Sequence, residues 1–311
     1  MSPDPRVSIV TPSFNQAQFL EQTIRSVLQQ GYPNLEYLVM DGGSTDGSVE
    51  VIQRHARQLA YWVSEADGGQ ADAVNKGWRR ASGSILAYLN SDDLYLPGVV
   101  ARVVEFLADH PDVDVVYGAL QMIDVQGAPL ELTQPPPKAT FAWLLRRPLP
   151  QPTVFLRRSV LDRIGLFDPT LHYVFDWELF LRASLAGVRM ARMPGPPLAA
   201  FRCWDGQKTA EAFEPRIKEQ LRVRDQLLAQ PDLAPRMARE IRFSKAWAYL
   251  WPAYQCYLKG SIRMSRRLLH EATEMHRGIA IHPEFLRLYA RLLLGRRLSS
   301  QARALKAWLN A

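Results

Sequence analysis

Along the first hundred residues, short runs of β-branched and aliphatic residues alternate with longer stretches in which apolar positions recur at helical spacing. Val7-Ser8-Ile9-Val10-Thr11 stops at Pro12-Ser13-Phe14-Asn15, and Phe19, Ile24, Val27 and Leu28 then mark one helical face as far as Gly31. Leu35 to Met40 repeats the strand, ends on Asp41-Gly42-Gly43-Ser44-Thr45-Asp46-Gly47, and leads into a helix between Val49 and Leu59. Tyr61-Trp62-Val63-Ser64 is a third strand, followed by Asp67-Gly68-Gly69-Gln70 and a helix from Ala71 to Ala81. The fourth, Ile85 to Leu89, is apolar throughout, which suits a strand buried on both faces, and it ends on Asn90-Ser91-Asp92-Asp93. This order predicts an α/β fold, a mostly parallel sheet flanked by helices, whose right-handed crossovers bring the four polar loops to one edge.

After a helix from Gly98 to His110 the alternation loosens. Val113 to Tyr117 and Gln121 to Asp124, with a turn at Gln126-Gly127, read as a strand and a hairpin. Two proline clusters, Pro135-Pro136-Pro137 and Pro148-Leu149-Pro150, bracket a loop-rich segment around Trp143. Gln151 to Leu156 returns to the sheet, and Ser159 to Ile164 and Phe175 to Arg182 are helical. Beyond Phe213 the chain reads as amphipathic helices broken at Pro231, Pro235, Gly260, Gly278 and Pro283. The division expected is therefore an α/β domain over residues 1–210 and a helical region over 211–311.

Composition changes the picture only in the second region. The net charge of +7 is uneven: residues 1–211 carry 19 Lys and Arg against 23 Asp and Glu, and residues 212–311 carry 19 against 8. Arg263, Arg266 and Arg267, beside Ile262, Leu268 and Leu269, suit either an anionic membrane surface or a helix packed on its own domain. Trp247, Tyr249, Trp251 and Tyr254 sit in apolar helical context and read as core, so nucleic acid is not an expected partner. No signal segment or bilayer-length apolar run is evident, and a cytoplasmic location is expected, peripheral on the inner face of the membrane if the basic helices bind lipid. Cys203 and Cys256 lack metal-ligand spacing and read as free thiols.

The candidate chemistry is acidic. Adjacent carboxylates at the end of a buried strand repel unless a cation or hydrogen-bond donors stabilise them. Asp92 and Asp93 thus read as a divalent-metal site carrying a phosphorylated ligand, or as a solvated turn capping the next helix. Asp176 and Glu178, near the start of a helix, suit either first-turn acids or a reacting group.

Val7 to Asn15, the Asp41 loop, Asn90 to Asp93 and Phe175 to Glu178, in this order at strand ends, together resemble the family 2 glycosyltransferases over about residues 5–210. The resemblance implies the GT-A fold, a nucleoside diphosphate sugar donor, of which a UDP sugar is the first expectation, a glycan or lipid-linked acceptor, and Mn2+ or Mg2+. On this basis Thr11 and Asp41 hold the base, Pro12 shapes the turn, and Asn15 belongs to the same donor-binding loop. Gly69, Gln70, Asn75 and Lys76 face the diphosphate or sugar, and Lys208 is available to phosphate. Asp93 is the direct metal ligand, with Asp92 at the metal and nearer the ribose or sugar. Asp176 is the general base of an inverting displacement, with Glu178 assisting or competing. Two positions depart from the family pattern: Phe175 replaces a frequent Glu, and Trp204, in Phe201-Arg202-Cys203-Trp204-Asp205-Gly206-Gln207-Lys208-Thr209, replaces a His that is a candidate third metal ligand. A nucleotidyltransferase and a non-catalytic nucleotide-sugar-binding scaffold are the competing readings.

Overall fold

The structure is a computed structural model, in which residues 4–208, 213–231 and 233–293 are described. The expectations that touch Met1 to Pro3, Thr209, the boundary at 210/211 and residues 294–311 lie outside them. The chain forms two compact units, residues 1–210 and 211–311.

The first unit runs β1 (Val7–Ser13), α1 (Ala17–Leu28), β2 (Leu35–Asp41), α2 (Ser48–His55), β3 (Tyr61–Ser64), α3 (Gln70–Arg80), β4 (Ile85–Tyr88), β5 (Leu94–Tyr95) and α4 (Val99–Asp109). It continues through β6 (Val115–Tyr117), β7 (Leu120–Ile123), β8 (Pro129–Thr133), α5 (Phe141–Leu144), β9 (Phe155–Arg157), α6 (Arg158–Ile164), α7 (Phe175–Leu185), β10 (Met190–Arg192) and β11 (Ala199–Arg202). Seven strands form the main sheet in the order β10-β6-β9-β4-β1-β2-β3. The four strands read from the N-terminal alternation are mutually parallel, and β9 runs antiparallel to both β4 and β6. β4 is the middle strand, buried at every residue, as its unbroken apolar run requires. Pro12 is tolerated inside β1 because β4 stops pairing at Val10, leaving the end of β1 with β2 alone. α3 lies so close to β1 that a Cβ on Gly77 would stand 2.5 Å from Val10 Cγ1.

A second sheet, β5-β11-β7-β8, is the main departure from the expected architecture. β11 joins the hairpin β7–β8 in parallel, pairing Arg202 with Ile123, and so carries the 201–208 segment back toward the end of β4.

On α1, Glu21 gathers Arg25 at 2.7 Å, His55 at 2.9 Å and Arg54 at 3.0 Å. Burial raises its proton affinity, but hydrogen bonds from His55, Arg25 and Arg54 outweigh this and hold the carboxyl at about 2. Such a depressed acid stabilises the fold above its unfolded value of 4.5 and loses that contribution as pH falls toward 2. Thermal melts across that window are expected to show a steeper acid decline for the wild type than for Glu21→Gln; parallel slopes would count against the cluster.

The second unit contains α8 (Phe213–Leu228), α9 (Pro235–Leu258), α10 (Ile262–Met275), a 3-10 turn at Arg277–Ile281 and a helix over 283–293. α9 starts on Pro235, a position where the missing N–H costs nothing. It ends at Gly260 (φ +83°), with Ser261 N donating to Cys256 O and Gly260 N to Tyr257 O, a termination that needs the left-handed glycine. Leu268 and Leu269 of α10 are buried in the core of this unit, so the apolar face of α10 packs on its own domain and is not the membrane face its sequence allowed. Trp251, expected in the core, is half exposed. Among the described residues no helix is long and apolar enough to cross a membrane.

Candidate active site

Asp92 and Asp93 follow β4 on a turn held from three sides. The Thr23 hydroxyl of α1 lies 2.9 Å from Ser91 O and 2.8 Å from Asp93 O. Gln151 Nε2 donates to Tyr88 O at 2.9 Å, and its Oε1 accepts from Asn90 Nδ2 at 3.1 Å. From β11, the buried Arg202 donates through Nε to Asp92 O at 3.1 Å and through Nη1 to Val125 O at 2.8 Å, and its Nη2 reaches Gln22 Oε1 at 2.8 Å. Its guanidinium also lies over the Phe19 ring at 4.7 Å.

This packing gives the two acids different surroundings. Asp93 is fully buried; its Oδ1 accepts from Arg202 N at 3.2 Å and its Oδ2 faces Asn90 Nδ2 at 3.4 Å. Burial and the neighbouring Asp92 push it well above the usual carboxylate range. Asp92 is partly exposed. Burial raises it too, against hydrogen bonds from Trp204 and Gln207. Asp93 is thus an interior acid bound to protein donors, and Asp92 is the more exposed carboxylate of the pair.

Trp204 has a definite job in place of the expected histidine. Its Nε1 donates to Asp92 Oδ2 at 2.9 Å, and its ring meets Phe19 edge-on at 5.2 Å. The indole lies over Gly206, where an ideal Cβ would stand 2.0 Å from the ring. Gln207 Nε2 donates to Arg202 O, closing the loop on itself. Lys208 stands over the Tyr173 ring at 5.3 Å, just ahead of α7.

The donor-loop predictions divide. Asp41, at the end of β2, accepts from Gly43 N (3.1 Å), Ser44 N (2.9 Å) and Ser64 Oγ (2.6 Å) on Oδ2, and from Ser44 Oγ (2.6 Å) on Oδ1, so Oδ1 keeps the greater capacity for a ligand donor. Gly69 caps α3 at φ +103°, and the His172 ring packs against it. Gln70 Nε2 donates to Asn90 Oδ1 at 2.6 Å, tying this loop to β4. Asn15 likewise ties loops: its N–H donates to Ser44 Oγ at 2.8 Å and its Oδ1 accepts from Thr45 N at 2.9 Å. Three other expected donor residues are held by protein partners. Thr11 is buried with its hydroxyl 3.0 Å from Tyr37 Oη, a core contact. Asn75 is buried and makes a two-point pair with the backbone of Phe167, 2.9 Å to its O and 3.1 Å from its N. Lys76 reaches Glu65 at 3.2 Å and Asp72 at 3.5 Å, lining an outer cleft with Tyr61, Arg79 and Arg80 rather than meeting the aspartate pair.

Other groups were not singled out in the sequence. Asp67 approaches Gly42 and Phe14, close enough that a Cβ on Gly42 would be 3.0 Å from Asp67 Oδ2. Burial raises its carboxyl above the ordinary value, and Asp72 and Asp41 add to that. Its place at the end of β3 repeats that of Asp41 on β2, the one signal that could have found it. Ser13 Oγ and Gln16 Oε1, in the same crown of loops, are buried without a hydrogen-bond partner. Arg202 and Gln151 had no local signal at all.

α7 is positioned by an aromatic cluster. Phe175 is buried, 4.9 Å from Phe167 and 6.3 Å from Tyr88 between ring centres, and Trp78 completes the group. The position that departs from the family pattern is thus a core position. Asp176, next along, is partly exposed, with Oδ1 accepting from Trp177 N at 2.8 Å. Tyr88, the last residue of β4, feels both acidic centres: burial raises its phenol well above the ordinary value, and the charges of Asp176 and Asp93 add to it. Both oxygens of Glu178 bind Arg182, at 2.5 and 2.8 Å, and Arg182 in turn holds Ile164 O and Leu166 O. Glu178→Gln is expected to lower stability by about 1–3 kcal/mol with kcat within about twofold of wild type, read by melts and initial rates; a collapse of kcat at unchanged stability would return Glu178 to the catalytic set.

A divalent ion fits the Asp92–Asp93 turn in kind, because two neighbouring carboxylates with raised proton affinity gain most from a cation. Among the described residues no group of three or more His, Cys, Asp or Glu side chains could hold one, so ligand oxygens and water must complete the shell.

The family described as "Glycosyl transferase family 2" matches residues 8–175, which span β1 to the start of α7. The chain belongs to glycosyl transferase family 2. An uncharacterized glycosyltransferase of Mycobacterium tuberculosis is 36% identical over 188 residues, covering 60% of this chain and 71% of that one. A PGL/p-HBAD biosynthesis glycosyltransferase of Mycobacterium bovis is 29% identical over 185 residues, covering 57% and 69%. Among solved structures, the mannosyltransferase PcManGT of Pyrobaculum calidifontis, in complex with GDP-Man and Mn2+, superposes with a TM-score of 0.60 at 19% identity, covering 94% of this chain and 86% of that one. Residues 1–349 of S. aureus TarS, in complex with UDP-GlcNAc, give 0.60 at 18% identity, covering 78% and 70%. The fold is GT-A, and this family 2 glycosyltransferase adds to it the helices of its second unit.

Proposed function

We propose that the protein is an inverting glycosyltransferase that moves a sugar from a nucleoside diphosphate sugar to an acceptor hydroxyl, and that a divalent ion assists at Asp92. The observation that carries this reading is that the start of α7 meets the end of β4: Phe175, next to Asp176, packs 6.3 Å from Tyr88, the last residue of β4, beyond which the chain enters the Asp92–Asp93 turn. The loops around Asp41 and Asp67 hold the base, with Asp41 Oδ1 suited to accept an imide proton, so uridine is the first choice. The PcManGT and TarS complexes support a nucleotide-sugar donor and, for the former, Mn2+. Asp176 takes the proton of the acceptor hydroxyl as its oxygen bonds to the anomeric carbon from the face opposite the leaving phosphate. The C–O bond to the diphosphate breaks in the same displacement, and the configuration inverts. Mn2+ or Mg2+ would stabilise the charge growing on the departing diphosphate.

The acceptor is a lipid-linked glycan or polysaccharide precursor, a reading supported by the PGL/p-HBAD relative, and the basic helices attach the enzyme to the inner face of a membrane. A thermal-shift screen of UDP and GDP sugars with and without Mn2+ tests the donor, because a true donor stabilises the fold in proportion to its occupancy. Product analysis then decides the class. Release of a nucleoside diphosphate is expected; pyrophosphate would make it a nucleotidyltransferase, and binding without turnover a scaffold.

A further inference from the structure

The helix over 283–293 is apolar on two neighbouring faces, about 100° apart. Phe285, Leu288 and Leu292 are buried in the core of the second unit. Leu286, Tyr289 and Leu293, spaced i, i+3 and i+7, are 49%, 47% and 64% exposed, and Ile281, in the turn just before, is 80% exposed. Single exposed apolar residues are ordinary, but a stripe along one helix marks a contact surface. Arg287, next along from Leu286, is exposed on the polar side of the helix about 100° around from it, and the helix's one acid, Glu284, is partly buried. Arg266 Nη2 donates to Leu292 O at 3.2 Å, which joins the exposed arginine face of α10, with Arg263 and Arg267, to the C-terminal end of the same helix. The sequence that follows adds Arg296, Arg297, Arg303 and Lys306, with no acid, among Leu298, Leu305, Trp308 and Leu309.

We propose that this stripe docks on an anionic lipid bilayer, with Ile281, Leu286, Tyr289 and Leu293 entering the boundary between headgroups and acyl chains while the neighbouring arginines meet lipid phosphates. The inference rests on the membrane attachment proposed above and moves it from the apolar side of α10 to the helix over 283–293. Charge selects lipid over a second copy of the chain, because self-pairing of this face would set its arginines against one another.

Flotation of the full chain with vesicles of phosphatidylcholine, alone or mixed with phosphatidylglycerol, tests it. Partitioning is expected to favour the mixed vesicles by about tenfold or more and to weaken with salt. Leu286→Glu with Leu293→Glu is expected to cut it by about tenfold while the donor-induced thermal shift stays unchanged. In a Cys203→Ser background, an environment-sensitive dye on Leu286→Cys is expected to shift to the blue on mixed vesicles, a readout independent of whether the glutamate variants fold. Failure of the wild type to bind mixed vesicles overturns both the attachment and the face. Binding that survives the glutamate pair, or a dye that does not shift, overturns the face and leaves the attachment standing. A concentration-dependent dimer that the glutamate pair dissolves, without vesicle binding, assigns the stripe to a second copy and overturns the proposal.

Discussion

Asp176→Asn is expected to lower kcat by about 10²–10⁴-fold and to leave donor affinity within about threefold of wild type. The substitution keeps an oxygen for the Trp177 amide while removing the carboxylate's charge and its capacity to accept a proton. The neighbouring Glu178 cannot take over without abandoning Arg182, to which both its oxygens are committed. Steady-state rates with donor and acceptor varied separately read the two effects apart. If kcat is retained, the proton leaves by another group and the placement of α7 loses its meaning for catalysis.

The second large effect is a contrast within one turn. Asp92→Asn is expected to weaken Mn2+-dependent donor binding by at least about tenfold, because it removes the partly exposed carboxylate of the pair. Asp93→Asn removes a charge that burial and Asp92 both oppose, and its amide oxygen still accepts from Arg202 N. That variant is expected to raise Tm by several degrees without metal and to retain most donor affinity, an effect on the order of 1 kcal/mol or more. Calorimetric titration with Mn2+ and UDP, beside melts of both variants, decides between them. Equal loss of binding in the two would restore Asp93 as an ion ligand.

The parts of the fold that could be read from sequence are those whose strands are long enough to carry a pattern. β1 and β2 are seven residues each and β4 is an unbroken apolar run, so their order and their shared edge followed from periodicity alone. The second sheet could not, because β5 is two residues long and β11 four, and pairing between segments a hundred residues apart leaves no local signature. The same distance explains the site. Which of Asp92 and Asp93 is buried depends on Arg202, which arrives from β11, and the partner of the Asn75 amide is Phe167, far along the chain. The position of Asp176 at a helix start was legible because a helix start is a local feature. Phe175 beside it was read as a lost polar neighbour because the aromatic cluster it completes is assembled from three other elements.

The indole lying over Gly206 has a genetic consequence. Any side chain there would have to displace the Trp204 ring, and with it the hydrogen bond to Asp92. A screen for inactivating substitutions should therefore return position 206 in the same phenotypic class as position 92, although glycine has no atom of its own to offer the chemistry. Suppressors of a Gly206→Ala allele should in turn fall at Phe19, where a smaller side chain would let the indole shift and keep its bond to Asp92, and their recovery would trace the contact from Phe19 through the loop to Asp92 without a structure in hand.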